Sequence, residues 1–122
     1  MSDIYLYTAA GLLVLTAFTH SWFGERRLIG PVVNSGVGVM KRDLARQVLH
    51  FAWHLTSGLW LVIAITLIHA AMTGGGAGPV FIALVGILHL AVGVFDAILT
   101  RRRHIGWPLL TLIGVFCLLA LL

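Results

Sequence analysis

Residues 80–99 read VFIALVGILHLAVGVFDAIL, an apolar run of twenty residues that contains one imidazole, His89, and one carboxylate, Asp96. As an α-helix, a run of this length extends about 30 Å and matches the hydrocarbon core of a bilayer. Three more apolar runs lie at about residues 4–23, 44–72 and 106–122. The sequence therefore predicts an all-α fold, in which residues 1–122 form a single integral membrane domain of four transmembrane helices.

The positive charges predict how this bundle is oriented. All eight lysine and arginine residues lie in two gaps between the apolar runs, residues 24–47 and residues 100–105. Basic loops stay on the cytoplasmic side of a membrane. We therefore expect an up-down-up-down bundle with both termini outside and both arginine loops in the cytoplasm.

The positions of the charged residues and of the single cysteine exclude several classes of partner and of site. The chain carries a formal net charge of +4, but its cations occupy loops and not a folded polar surface, so no nucleic-acid partner is expected. The expected partner is the lipid bilayer, with anionic headgroups at the arginine loops. The single Cys117 excludes an internal disulfide and a cysteine metal cluster.

The segments between the runs have their own predicted structures. Residues 28–40 are apolar and rich in glycine, which predicts a loop lying in the membrane interface. Asp43 is a suitable N-cap for the second helix. Residues 73–79, TGGGAGP, predict a tight hairpin on the outer side.

Ionisable side chains within the apolar runs are candidates for function, because they are expensive to place in hydrocarbon. His50 and His54 are four residues apart and share one helix face, and His89 and Asp96 are seven apart on another. Most of the candidates fall in the cytoplasmic third of the predicted bundle. The predicted site residues are His20, Glu25, His50, His54, His89 and Asp96.

Imidazole and carboxylate groups from facing helices are how helical bundles hold transition metals. This donor set suits zinc, iron, manganese or copper(II), and it contains no thiolate. The leading prediction is therefore an intramembrane site for a divalent transition metal ion. The sequence assigns no catalytic residue and leaves open whether the protein is an enzyme.

Two other interpretations remain open from the sequence. The first is haem b, with His54 and His89 as axial ligands and with space for the macrocycle at Gly58 and Gly93. The second is a cofactor-free accessory or scaffold subunit, in a homo-oligomer or a larger membrane complex, whose polar groups tie helices together.

Two stretches resemble a known group of proteins. Residues 20–31, HSWFGERRLIGP, and residues 46–56, RQVLHFAWHLT, are similar to motifs of short, uncharacterised bacterial membrane proteins. In that group a His-Ser-x-x-Gly-Glu-Arg-Arg-Leu-Ile-Gly-Pro stretch precedes a Phe-Ala-Trp-His-Leu-Thr stretch. The resemblance covers about half of the chain and implies a multi-pass protein of the bacterial inner membrane, with no known activity attached.

Overall fold

The computed structural model describes residues 2–74 and 78–122, and these contain helices and turns but no β-strand. The predicted all-helical fold is confirmed, with four helices of 14 to 31 residues among the described residues. The predicted outer hairpin lies partly outside the described residues, since it includes residues 75–77. The helices are α1 (Ser2–Gly24), α2 (Gly30–Val33), α3 (Asp43–Thr73), α4 (Pro79–Leu99) and α5 (Gly106–Leu119).

Three of these helical segments are long and apolar enough to cross a membrane: Asp3–Val33, Asp43–Thr73 and Pro79–Leu99. Their outward faces carry large apolar side chains, such as Ile65 at 67% exposure and Ile98 at 73%. The fourth helix, α5, ends at Leu119 and has 14 residues, a length of about 21 Å. It is therefore shorter than the predicted run 106–122 and shorter than a bilayer core.

The first helix does not end near residue 23 as predicted. It continues through a π-helical turn, Glu25–Ile29, into α2, so one helical rod extends from Ser2 to Val33. Pro31 has no backbone N–H, so it cannot continue the regular hydrogen-bond pattern of an α-helix. One residue earlier, the Gly30 N–H instead bonds to the carbonyl oxygen of Glu25, which is the wider spacing of a π turn.

After α2 the chain reverses at Gly36 and Gly38, which have φ angles of 63° and 58° and so need glycine's access to the left-handed region. A short 3₁₀ turn, Gly38–Lys41, leads into α3.

The prediction that Asp43 caps α3 was wrong. Asp43 is the first helical residue, and its carboxylate pairs with Arg46. Among the described residues, no side chain caps this helix.

The helix α1 lies at the centre of the packing, against α3 on one side and α5 on the other, while α4 packs chiefly against α5. The consecutive helices α3 and α4 approach each other closely at few points. Leu13 of α1, Leu67 of α3 and Ile113 of α5 are fully buried in the shared core. Because α1 contacts α3 along its length, side chains at its C-terminal end come to lie beside those at the start of α3.

Candidate metal centre

The structure brings together three of the six predicted site residues. The Oε2 atom of Glu25 lies 2.9 Å from His50 Nε2 and 3.1 Å from His54 Nε2. Each of the three residues offers one metal-ligand atom, an imidazole nitrogen or a carboxylate oxygen. These three atoms all lie within 4.8 Å of one another. Within residues 2–74 and 78–122 this is the one group of three or more histidine, cysteine, aspartate or glutamate residues with metal-binding spacing.

Local backbone structure places each of these side chains. His50 and His54 are one turn apart on α3, so they project from the same face, with ring planes at 84° and centroids 5.0 Å apart. Glu25 is the first residue of the π turn. A Cβ at Gly30 would lie 2.6 Å from the Glu25 carbonyl oxygen and 3.2 Å from its Oε1 atom. Glycine at position 30 therefore leaves room for both the wide turn and the carboxylate.

Glycine also allows α1 and α3 to meet beside the site. A Cβ at Gly24 would lie 2.3 Å from Cζ2 of Trp53, so a larger residue at position 24 would displace the indole. The Trp53 Nε1–H donates to the backbone carbonyl of His20 at 3.2 Å. The contact between Gly24 and Trp53 therefore brings the two helices together one residue before Glu25 and one residue before His54.

Ser21 contacts the second nitrogen of His54, and Ser57 contacts Ser21. Ser21 Oγ lies 2.9 Å from His54 Nδ1 and donates its hydrogen to Ser57 Oγ at 2.8 Å. With the hydroxyl hydrogens in this arrangement, Ser21 accepts a hydrogen bond from His54 Nδ1–H, and a neutral His54 presents the lone pair of Nε2 to Glu25, where a proton or a metal ion can lie between the two atoms. With the hydrogen between the two serines reversed, Ser21 donates to Nδ1 and the Nε2–H of His54 donates to Glu25. Fixing one imidazole nitrogen so that the other can bind metal is the common arrangement in metalloproteins.

The spacing of the ligand atoms fits a small divalent ion. Zinc binds histidine nitrogen and carboxylate oxygen at about 2.0–2.2 Å, which in a tetrahedral site places neighbouring ligand atoms about 3.3 Å apart. The observed separations of 2.9 and 3.1 Å need to widen by only a few tenths of an ångström. The three side chains are 37–48% exposed, so an ion and a further ligand can reach them.

A surface pocket of about 340 Å³ adjoins two of these ligands. Glu25 and His54 form part of its wall together with Trp22 and Arg26. The Arg26 guanidinium lies 4.0 Å above the Trp22 ring, a cation–π contact that holds the charge at the pocket edge. A ligand that completes the coordination of a metal from this pocket would therefore meet a positive charge, which favours an anion.

The other three predicted residues have different partners and do not join this group. His20 stacks on Trp53 with ring centroids 4.0 Å apart. His89 is 4% exposed, and its Nδ1 atom lies 2.8 Å from the Val85 carbonyl oxygen. Asp96 Oδ2 lies 2.6 Å from His104 Nδ1.

The geometry offers no support for haem b between His54 and His89. The Nε2 atom of His54 faces Glu25. Gly93, expected to leave room for the macrocycle, faces α5 instead, where a Cβ would lie 2.6 Å from the backbone nitrogen of Thr111.

Sequence reasoning missed the supporting residues Ser21, Gly24, Gly30 and Ser57. Two of them could have been found from their spacing. Ser21 lies four residues before Glu25, and Ser57 lies three residues after His54, so each serine is expected on the same helix face as that site residue. The roles of Gly24 and Gly30 depend on contacts across the fold and on the π turn. No protein-family model, curated protein or solved structure matches this chain.

Proposed function

We propose that this chain is a multi-pass protein of the bacterial inner membrane that binds one divalent transition metal ion through Glu25, His50 and His54. The observation that carries the proposal is the approach of one carboxylate oxygen to two imidazole nitrogens, at 2.9 and 3.1 Å. Two histidines and one carboxylate are a common set for zinc and for iron(II). Manganese and copper also accept these ligands, and metal supply selects among the four ions.

Three protein ligands leave at least one coordination position for a water molecule or another ligand. Closed structural zinc sites use four protein ligands, whereas sites that exchange ligands use three. The pocket beside Glu25 and His54 gives that position access from outside the protein. These features favour a site that exchanges its metal or binds an anion on it over one that only holds the helices together.

The proposal is tested by loading the purified protein with metal. Detergent-solubilised protein, dialysed against zinc or cobalt at pH 7.5, is expected to retain about one ion per chain by mass spectrometry. Because both imidazoles must be unprotonated to bind, affinity should fall at least tenfold on acidification to pH 5.5. Protein that stays metal-free after metal-replete expression and loading would contradict the proposal, as would binding with no dependence on pH.

A cofactor-free accessory subunit is the second candidate, and the same contacts favour it. Glu25 can accept hydrogen bonds from both imidazoles when these are protonated, and Ser21 links the group to Ser57. The set then connects α1 to α3 without a metal ion. Absence of bound metal, combined with loss of thermal stability on changing Glu25, would select this alternative.

We also propose that the arginine loops face the cytoplasm, with the N-terminus outside. In a Cys117→Ala background, a membrane-impermeant maleimide should label Asp3→Cys in intact spheroplasts and Arg103→Cys only after permeabilisation. Leu122→Cys should be labelled from outside if α5 crosses the membrane despite its length. Labelling of positions 3 and 103 in the reverse order would contradict this topology.

The second arginine loop suits an anionic phospholipid. Arg101 and Arg102 line an open groove of about 770 Å³ together with Ile98 and Trp107. Paired guanidinium groups bind phosphate, and tryptophan is enriched at the headgroup level of membranes. We therefore propose that a headgroup phosphate lies against the two arginines and that its acyl chain follows the apolar side of the groove.

A further inference from the structure

A partly enclosed cavity of about 300 Å³ lies between α1, α3 and α5. His20 lines it, whereas the metal ligands Glu25, His50 and His54 do not. Much of the wall is apolar or aromatic, including Trp53, Trp60, Leu109 and Leu110. A cavity of this size, with aromatic walls and few polar groups, has the usual composition of a small-molecule site.

One buried polar atom lacks a partner here. His20 Nε2 is buried and makes no hydrogen bond to any residue that the structure describes, although buried polar side-chain atoms in folded proteins nearly always have one. Its ring is held by Trp53, nearly parallel at 4.0 Å, and by the edge-to-face Trp60 at 5.1 Å. The imidazole is thus fixed in orientation at the cavity wall, and a small shift of its neighbours would let a ligand reach the unpaired nitrogen.

Besides His20, the polar side chains of Thr16, Thr19 and His104 line the cavity. Both threonine hydroxyls donate to backbone carbonyls of α1, and His104 Nδ1 pairs with Asp96. Arg27 also lines the cavity, and its guanidinium lies 5.5 Å from the centre of the Phe23 ring. A guanidinium has hydrogen-bond donors and no acceptor. A complementary ligand must therefore carry acceptors, and it must otherwise be flat and apolar enough to lie against indole rings.

We propose that this cavity binds the ring of a membrane-soluble para-quinone. Such a ring is planar and uncharged and carries two carbonyl acceptors at opposite edges, one for His20 Nε2–H and one for the donors of Arg27. Quinones dissolve in the bilayer, which supplies them directly to a cavity between membrane helices. The site is formed by other residues than the metal centre and does not depend on metal binding.

The test is a titration with ubiquinone-1, a short-chain para-quinone, of the protein in phosphatidylcholine nanodiscs. Trp22→Phe and Trp107→Phe substitutions leave Trp53 and Trp60 as the fluorophores, and both line the cavity. We expect saturable quenching of their fluorescence.

His20→Leu should raise the Kd about tenfold, which is the usual effect of losing one buried hydrogen bond. His20→Gln should restore part of the affinity, because the glutamine amide can donate a hydrogen bond. His69→Leu, an exposed histidine at the other end of α3, is the matched control.

Two further measurements separate this site from other effects. Leu109→Phe fills part of the cavity while leaving His20 in place and adding no tryptophan, so it should abolish saturable quenching even if His20→Leu alters folding. Chelator-treated protein and the Glu25→Gln variant should bind the quinone like the untreated protein. Non-saturable quenching that is equal in all variants, or saturable binding that neither His20→Leu nor Leu109→Phe changes, would overturn the proposal.

Discussion

Replacing Glu25 by glutamine is expected to weaken zinc binding on the order of 100-fold or more. Substitutions of residues that only orient metal ligands reduce affinity about 10- to 100-fold, and loss of an anionic ligand should exceed that range. Glutamine preserves the shape of the side chain, and its carboxamide can still hydrogen-bond to His50 and His54. The variant therefore removes the negative charge with little change in packing.

The measurement is a competition titration against a chromophoric chelator, with the fold followed by circular dichroism. His54→Ala should behave like Glu25→Gln, because it removes the imidazole nitrogen that lies 3.1 Å from Glu25 Oε2. Ser21→Ala should weaken binding about tenfold, since it frees His54 Nδ1 without removing a ligand. His69→Ala is the matched control. If Glu25→Gln bound zinc as tightly as the wild-type protein, Glu25 would not be a metal ligand, and the proposed site would be wrong.

Much of the fold was predictable because a bilayer restricts what an apolar chain can form. Long apolar runs must satisfy their backbone groups internally and therefore become helices, and α3 and α4 begin and end within a residue of the predicted limits. The rod from Ser2 to Val33 was not predictable in the same way. Gly30 and Pro31 usually indicate the end of a helix. Here a π turn precedes the proline, and the chain continues as a helix through it.

The histidine pair of the candidate site was predictable from the sequence, but the identity of the third residue of the group was not. Helical spacing placed His50 and His54 on one face, and this is where the structure has them. The sequence gives no information about the rotation of one helix against its neighbour, so it could not show that Glu25 joins them while His20 turns towards a separate cavity. Asp96 lies outside the group of Glu25, His50 and His54 for a local reason. Arg101 and Arg102 adopt φ angles of 52° and 61°, and the loop they form brings His104 back onto Asp96.

Substituting Gly114 with leucine is expected to lower the free energy of unfolding by about 3 kcal/mol, at the upper end of the range for overpacked cores. A Cβ at position 114 would lie 2.5 Å from the backbone nitrogen of Leu90 and 2.8 Å from the backbone oxygen of Gly86. Close backbone approach at small residues is how membrane helices gain packing contacts. Any larger residue at this position must push α4 away from α5.

Gly58→Leu is the matched control, because no atom in the described part of the chain lies within 4 Å of a Cβ built at that position on α3. Unfolding by SDS in mixed micelles, followed by circular dichroism, should show a large loss of stability for Gly114→Leu and little change for Gly58→Leu. Truncating Leu90 to alanine should not rescue the Gly114 variant, because the closest atom is backbone nitrogen and not the end of a side chain. Equal stability of the two glycine variants, or full rescue by Leu90→Ala, would contradict close backbone packing between α4 and α5.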